Sequence, residues 1–145
     1  MFTLHTQLAK DCVVLGDLPL CRALLMNDAQ YPWTILVPRR EDVAELFQLS
    51  RIDQQQLLQE TNTVAAALAG HFNADKMNIA ALGNVVPQLH LHVIARFRDD
   101  AAWPRPVWGV QPAQPYDDAA LAARLRELEA LLVPLGVQWA AGSGA

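Results

Sequence analysis

Cations, cysteines and long apolar runs are all scarce in this 145-residue chain, and each scarcity excludes something. Eleven Lys and Arg stand against fifteen Asp and Glu, for a net charge of −4. Grip on a polynucleotide rests on neutralising its phosphates with cations, so no nucleic acid polymer is expected as a partner. No apolar run approaches the roughly 18–20 residues of a membrane helix. Met1–Lys10 mixes Thr, His and Gln where a signal peptide needs an apolar core. Neither membrane nor export is expected, and the cytoplasm is the expected compartment. Two cysteines, Cys12 and Cys21, are too few for the framework of a small secreted domain and read as free, packed thiols. What is plentiful is apolar: 52% hydrophobic against 18% charged residues. A chain of this size buries roughly 68–70% of its unfolded surface and needs no disulfide or metal staple. One domain over residues 1–139 is expected, with a tail at 140–145 (Ala140 to Ala145) that frays.

Along the chain, Cys12–Leu15 and Leu20–Leu25 are apolar and flank Gly16, Asp17 and Pro19, which reads as a hairpin. Trp33–Val37 is β-branched and aromatic and ends at Pro38, as a central strand would. Arg39–Ser50 reads as a short helix with acidic residues at its start. A second helix is expected from Asp53, with Leu57, Leu58, Thr61, Val64, Ala65 and Leu68 on one stripe and Gly70 as its stop. Met77–Leu82 and Val85–Phe97 read as two strands split by Gly83-Asn84. A Trp- and Pro-rich loop follows at Trp103–Pro115. Asp117 and Asp118 then cap a helix that carries Leu121, Leu125, Leu128 and Leu132 and closes at Pro134. The sum is an α+β fold with an antiparallel sheet and helices.

The segment with chemistry in it is Val86–Phe97. Strand alternation sets Leu89, Leu91 and Val93 on one face and Gln88, His90 and His92 on the other. Same-face neighbours lie roughly 6.5–7 Å apart, about the span of a phosphate and its ester oxygens. Imidazole is both a nucleophile and a proton donor near neutral pH. Attack on phosphorus through a covalent phosphohistidine would split a hard displacement into two easier steps. On spacing alone, His-x-His also fits a solvated polar face or a metal site. Zinc normally takes three or four protein ligands, and only His5, His71 and scattered carboxylates remain to supply them. No metal and no other cofactor is expected. Two tryptophans close together, Trp103 and Trp108, fit a loop pinned to the core, a cover over a site or a subunit contact. Arg39, Arg40, Arg96 and Arg98 read as solvated charges.

The string Met77-Asn78, Gly83-Asn84, Gln88-Leu89-His90-Leu91-His92-Val93-Ile94, preceded by Ile35-Leu36-Val37-Pro38-Arg39, resembles the histidine triad (HIT) family of nucleotide hydrolases and transferases. The likeness runs roughly from Cys12 to Trp108. It implies an α+β fold that usually pairs into a homodimer, and a reaction at the α-phosphate of a nucleotide. It assigns His90 as nucleophile and His92 as the residue that contacts phosphate and assists the leaving group. The family's first histidine falls on Gln88, so the triad is here a dyad. The nucleophile's second nitrogen is held in this family by a main-chain carbonyl, which any residue type supplies. Asn27 matches a ribose-holding position, Asn78 a strand position beside the phosphate, and Gly83-Asn84 a Gly-Gln step turning toward the ligand. Each asparagine also fits a plain turn or strand-end hydrogen bond. Val85 stands where Ser or Thr often touches phosphate.

The expected function is hydrolysis or transfer of a nucleotidyl group from dinucleoside polyphosphates or nucleoside phosphoramidates, through a nucleotidyl-histidine. The partner is a small-molecule nucleotide, and the chain is expected as a homodimer. A nucleotide-binding sensor without turnover and a metal-binding strand protein are the competing readings. If neutral His90 attacks and charged His92 donates, activity follows a bell around neutral pH.

Overall fold

Six strands, β1 (Cys12–Asp17), β2 (Cys21–Met26), β3 (Trp33–Pro38), β4 (Lys76–Ala80), β5 (Leu91–Arg96) and β6 (Gln138–Trp139), make one sheet in this computed structural model, which describes residues 1–141. The order is β4-β5-β3-β2-β1-β6 and every pairing is antiparallel. With α1 (Thr6–Asp11), α2 (Arg51–Phe72) and α3 (Asp118–Leu132), the architecture is the expected α+β fold, an antiparallel sheet with helices.

The two faces of the sheet carry separate cores. Leu36, Leu91 and Val93 point toward the helices, where they meet Leu57, Val64 and Leu68 of α2 and Leu128 and Leu132 of α3. Trp33, Ile35, Val37 and Ile94 point the other way and are covered by Leu8, Tyr31, Ala102 and Val107. Each fully buried side chain of this kind contributes roughly 1.5–3 kcal/mol. β3 is buried along its whole length, in keeping with its uninterrupted apolar run. His92 alternates with Leu91 and Val93, so it belongs to the face opposite the helices.

Several expected boundaries differ from those observed. Arg39–Ser50 forms no α-helix. Asp42 takes φ 56°, Leu46 and Phe47 are exposed, and a single 3-10 turn over Leu46–Gln48 remains, its Gln48 side chain accepting from the N–H groups of Ala44 and Glu45. Val43 and Leu49 reach the core but Leu46 and Phe47 between them do not, so no continuous apolar face holds a short helix here. The second helix starts one turn early because Ser50, whose hydroxyl accepts from Asp53 N–H, is the cap. Gly70 lies inside it, and Asn73 in the left-handed conformation ends it. Leu58 is exposed, unlike the rest of its stripe. The chain past Pro134 turns as Val133–Leu135 and adds β6 to the sheet. Gly16 permits that addition, since a Cβ there would lie 2.1 Å from the Gln138 carbonyl oxygen. Of the tail expected to fray, Ala140 and Ala141 are held by Leu15 O; positions 142–145 lie outside the described residues. No helix among the described residues is long and apolar enough to cross a membrane.

Candidate active site

β5 is shorter than its sequence suggests, and this changes the site. Regular pairing begins at Leu91, with His92 opposite Ile35 and Ala80. Val85–His90 is an irregular lead-in: Pro87 has no N–H to give a ladder, and the Leu89 N–H goes instead to Val43 O at 2.9 Å. The expected row of three polar side chains on one strand face is therefore not formed. Gln88 turns aside, its Oε1 accepting from His5 N–H at 2.8 Å and its Nε2 donating to Thr3 O at 2.9 Å. Where a histidine would offer one donor and one acceptor on a rigid ring, the amide spans a backbone segment with both.

His90 and His92 still meet. Their ring centroids are 4.9 Å apart at 70°, closer than strand spacing alone would set them. Their hydrogen bonds fix opposite tautomers. A carbonyl oxygen only accepts, so the 2.7 Å contact from His90 Nδ1 to Gln88 O places the proton on Nδ1 and leaves Nε2 with a free lone pair. An indole N–H only donates, so Trp33 Nε1 at 3.0 Å from His92 Nδ1 requires that nitrogen to be bare, and Nε2–H faces Leu82 O at 3.3 Å.

His90 lines a cavity of about 150 Å³ together with Gly83, Asn84, Gln88, Ala44 and Glu45. No Lys or Arg is among its lining residues. The volume is below the roughly 300–1,000 Å³ of a pocket that engulfs a small molecule, so it has room for a small group and not for a whole nucleotide. A more open cleft that includes His5, Asp42 and Val43 adjoins it and shares Ala44, Pro87 and Gln88. Gly83 is required for the close approach, because a Cβ there would lie 2.6 Å from Val86 O and 3.4 Å from His90 Cε1.

His92 is buried among rings: Trp108 at 4.9 Å, Trp33 at 5.6 Å and His90. Burial, and secondarily the charge of a protonated His90, pull its pKa down to about 4, against a smaller opposing effect of the Leu82 carbonyl. The imidazolium that a bell-shaped profile needs is thus not the resting form of His92, and the expected bell loses its basic limb; a neutral Nε2–H donor takes its place.

The remaining expected site residues are more dispersed. Asn84 shares the cavity with His90. Asn78 lies on the same sheet face as His92, opposite Ile94, but its Oδ1 accepts from Arg96 Nη1 at 2.7 Å. Asn27 accepts from Tyr116 N–H at 3.0 Å. Arg96, expected to be solvated, is 1% exposed. It forms a two-pronged pair with Asp100 at 2.7 and 3.0 Å, donates to Arg105 O, and stands over the rings of Tyr31 and Trp103. Burial alone would raise the Asp100 carboxyl, but Arg96 and the N–H groups of Phe97 and Trp103 hold it below its usual range. The loop that carries Trp108 to His92 is anchored here. Trp33 and Arg96 are the residues sequence reasoning missed; Arg96 and Asp100 at i, i+4 were the only signal. Among the described residues no three His, Cys, Asp or Glu side chains converge as a metal site would need.

Comparison with known proteins agrees with this geometry. A family model described as the HIT domain matches residues 7–99. The chain is similar to a histidine triad protein from Marinobacter aquaeolei VT8, at 48% identity and TM-score 0.91 over 94% of this chain and 99% of that one. It is likewise similar to one from Bradyrhizobium japonicum, at 47% identity and TM-score 0.87 over 90% and 97%. A third, from Sinorhizobium meliloti 1021, shows 46% identity and TM-score 0.87 over 91% and 98%. No curated protein matches.

Proposed function

The chain belongs to the histidine triad (HIT) family, whose members are generally nucleotide hydrolases or transferases, and from that premise we propose that it cleaves the α-phosphate of a dinucleoside polyphosphate or nucleoside phosphoramidate through a nucleotidyl-histidine. The observation that carries this is the His90 tautomer. With Nδ1–H committed to Gln88 O, the Nε2 lone pair is available beside a phosphate-sized cavity. Attack forms the Nε2–P bond and breaks the bond from phosphorus to the leaving group. The positive charge that develops on the His90 ring is stabilised through Nδ1–H by the Gln88 carbonyl. His92 Nε2–H exchanges Leu82 O for a hydrogen bond to the departing atom, which leaves as the anion from a polyphosphate and with a proton taken from water from a phosphoramidate. Water then cleaves the N–P bond and releases the mononucleotide. Asn84 and backbone N–H groups meet the phosphate, and the Nδ2 of Asn27 is left for a ribose hydroxyl. Free, buried thiols at Cys12 and Cys21 fit work in the reducing cytoplasm.

The test is intact mass after brief incubation with an adenylated substrate, quenched cold. A nucleotidyl adduct that vanishes in His90→Ala supports the enzyme. Tight binding without adduct points to a sensor, chelator-sensitive turnover to a metal protein, and an adduct that survives His90→Ala overturns the nucleophile.

The same reading includes a homodimer. β4 is an edge strand, and beside it Leu46, Leu57, Leu58, Ile79 and Leu91 line a mainly apolar groove against α2. Leu46, Leu58 and Ile79 are exposed there. An open strand edge flanked by apolar side chains suits a second copy related by a two-fold axis, because an antiparallel edge is its own complement.

A further inference from the structure

We propose that Trp33 is a positioning residue for this site, acting through His92: its indole N–H fixes the imidazole as the Nε2–H tautomer and keeps that hydrogen on the side of the reacting phosphate. The role of that hydrogen in turnover rests on the function proposed above; the tautomer does not.

Trp33 opens β3, the strand that pairs with β5, and its side chain shares the sheet face of His92. The two are 59 residues apart in sequence, yet Nε1 lies 3.0 Å from Nδ1 and both residues are about 5% exposed or less. Unlike a hydroxyl, the indole has one hydrogen in one direction, so the bond can be made in one sense only. Turning the imidazole over would set carbon against the indole N–H and leave a buried donor without an acceptor. Protonating Nδ1 would oppose two donors. Trp108 and His90 pack against the same ring at 4.9 Å each and oppose its rotation. His90 is also the titratable group that faces His92. At the other end of the ring, Leu82 O accepts from Nε2–H and immediately precedes Gly83, which lines the cavity with His90. One donor on β3 thereby decides which end of His92 carries the hydrogen, and that end faces Leu82, next in the chain to the cavity-lining Gly83.

Trp33→Phe keeps an aromatic ring and removes the N–H; benzothienylalanine at position 33 keeps the shape of the bicycle as well, and separates the loss of the donor from any loss of packing. Nitrogen-15 spectra of histidine-labelled protein read the tautomer without any substrate. In the parent protein His92 is expected as pure Nε2–H. In both variants the Nδ1–H form becomes populated, and the His92 titration moves up by about one pH unit, the shift that loss of one hydrogen bond to a single protonation state gives. If the parent turns over nucleotide, kcat falls about tenfold in the benzothienylalanine protein while KM stays level. If the parent does not, the reading of function fails and the spectra still decide this proposal. An unchanged tautomer and titration in the benzothienylalanine protein would overturn it, leaving Trp33 a packing residue.

Discussion

Two imidazoles in contact hold their protons on opposite nitrogens, one through a carbonyl and the other through an indole. The arrangement has a thermodynamic signature. Unfolded, His92 takes up its proton near pH 6.5; folded, it does so near 4. Between these values the unfolded chain binds more protons. The stability that comes from keeping His92 neutral is therefore complete above about pH 6.5 and lost progressively toward pH 4, on the order of 3 kcal/mol in all. Urea unfolding is expected to show a loss of about 2 kcal/mol from pH 7 to pH 5 from this residue, and His92→Gln to flatten it; equal slopes in parent and variant would place the acid sensitivity elsewhere. At this scale the sequence was partly legible. His-x-His beside Gln88 pointed to the two rings that meet, and the carbonyl behind His90 followed from the family resemblance. The partner of His92 was not legible, because a contact between positions 33 and 92 exists only once β3 and β5 pair.

At the level of elements, the strands and long helices were readable where burial follows a period, as in β3 and α2. The irregular pieces were not. Val85–His90 looks like strand until Pro87 and the crossing of Val43 are taken together, and Arg96 looks like a surface charge until Tyr31 and Trp103 close over it. That closure makes a strong prediction. Arg96→Met leaves Asp100, 3% exposed at its side chain, as a buried charge without a partner. Breaking such a pair costs about 3–5 kcal/mol, so the denaturation midpoint falls steeply, whereas Arg98→Met, at an exposed position, changes it little. Because the loop anchored by Arg96 carries Trp108, near-ultraviolet circular dichroism is expected to weaken along with stability. A loss below about 1 kcal/mol would show that Asp100 finds solvent or another donor.

For the molecule as a whole, the scarcity of cations bears on the size of the expected partner more than on its charge. Few cations argue against a polynucleotide, yet the small anion proposed above would be met by imidazole and amide side chains in a cavity with no Lys or Arg in its lining. The hydrophobic surplus likewise extends beyond the core: part of it is exposed along β4 and α2. Sedimentation velocity is expected to return twice the chain mass, and Leu58→Glu with Ile79→Lys to return the monomer with its circular dichroism intact. A parent that sediments as a monomer at micromolar concentration would remove the two-fold seam. One further consequence lies in Gln88, whose carbonyl steadies His90 while its side chain clasps Thr3 and His5. Mechanically it is a pivot. A load applied ahead of residue 3, by a fused tag or a surface tether, is delivered to the orientation of the His90 ring. The same load applied beyond β6 is borne by Leu15 on β1, three strands away from β5.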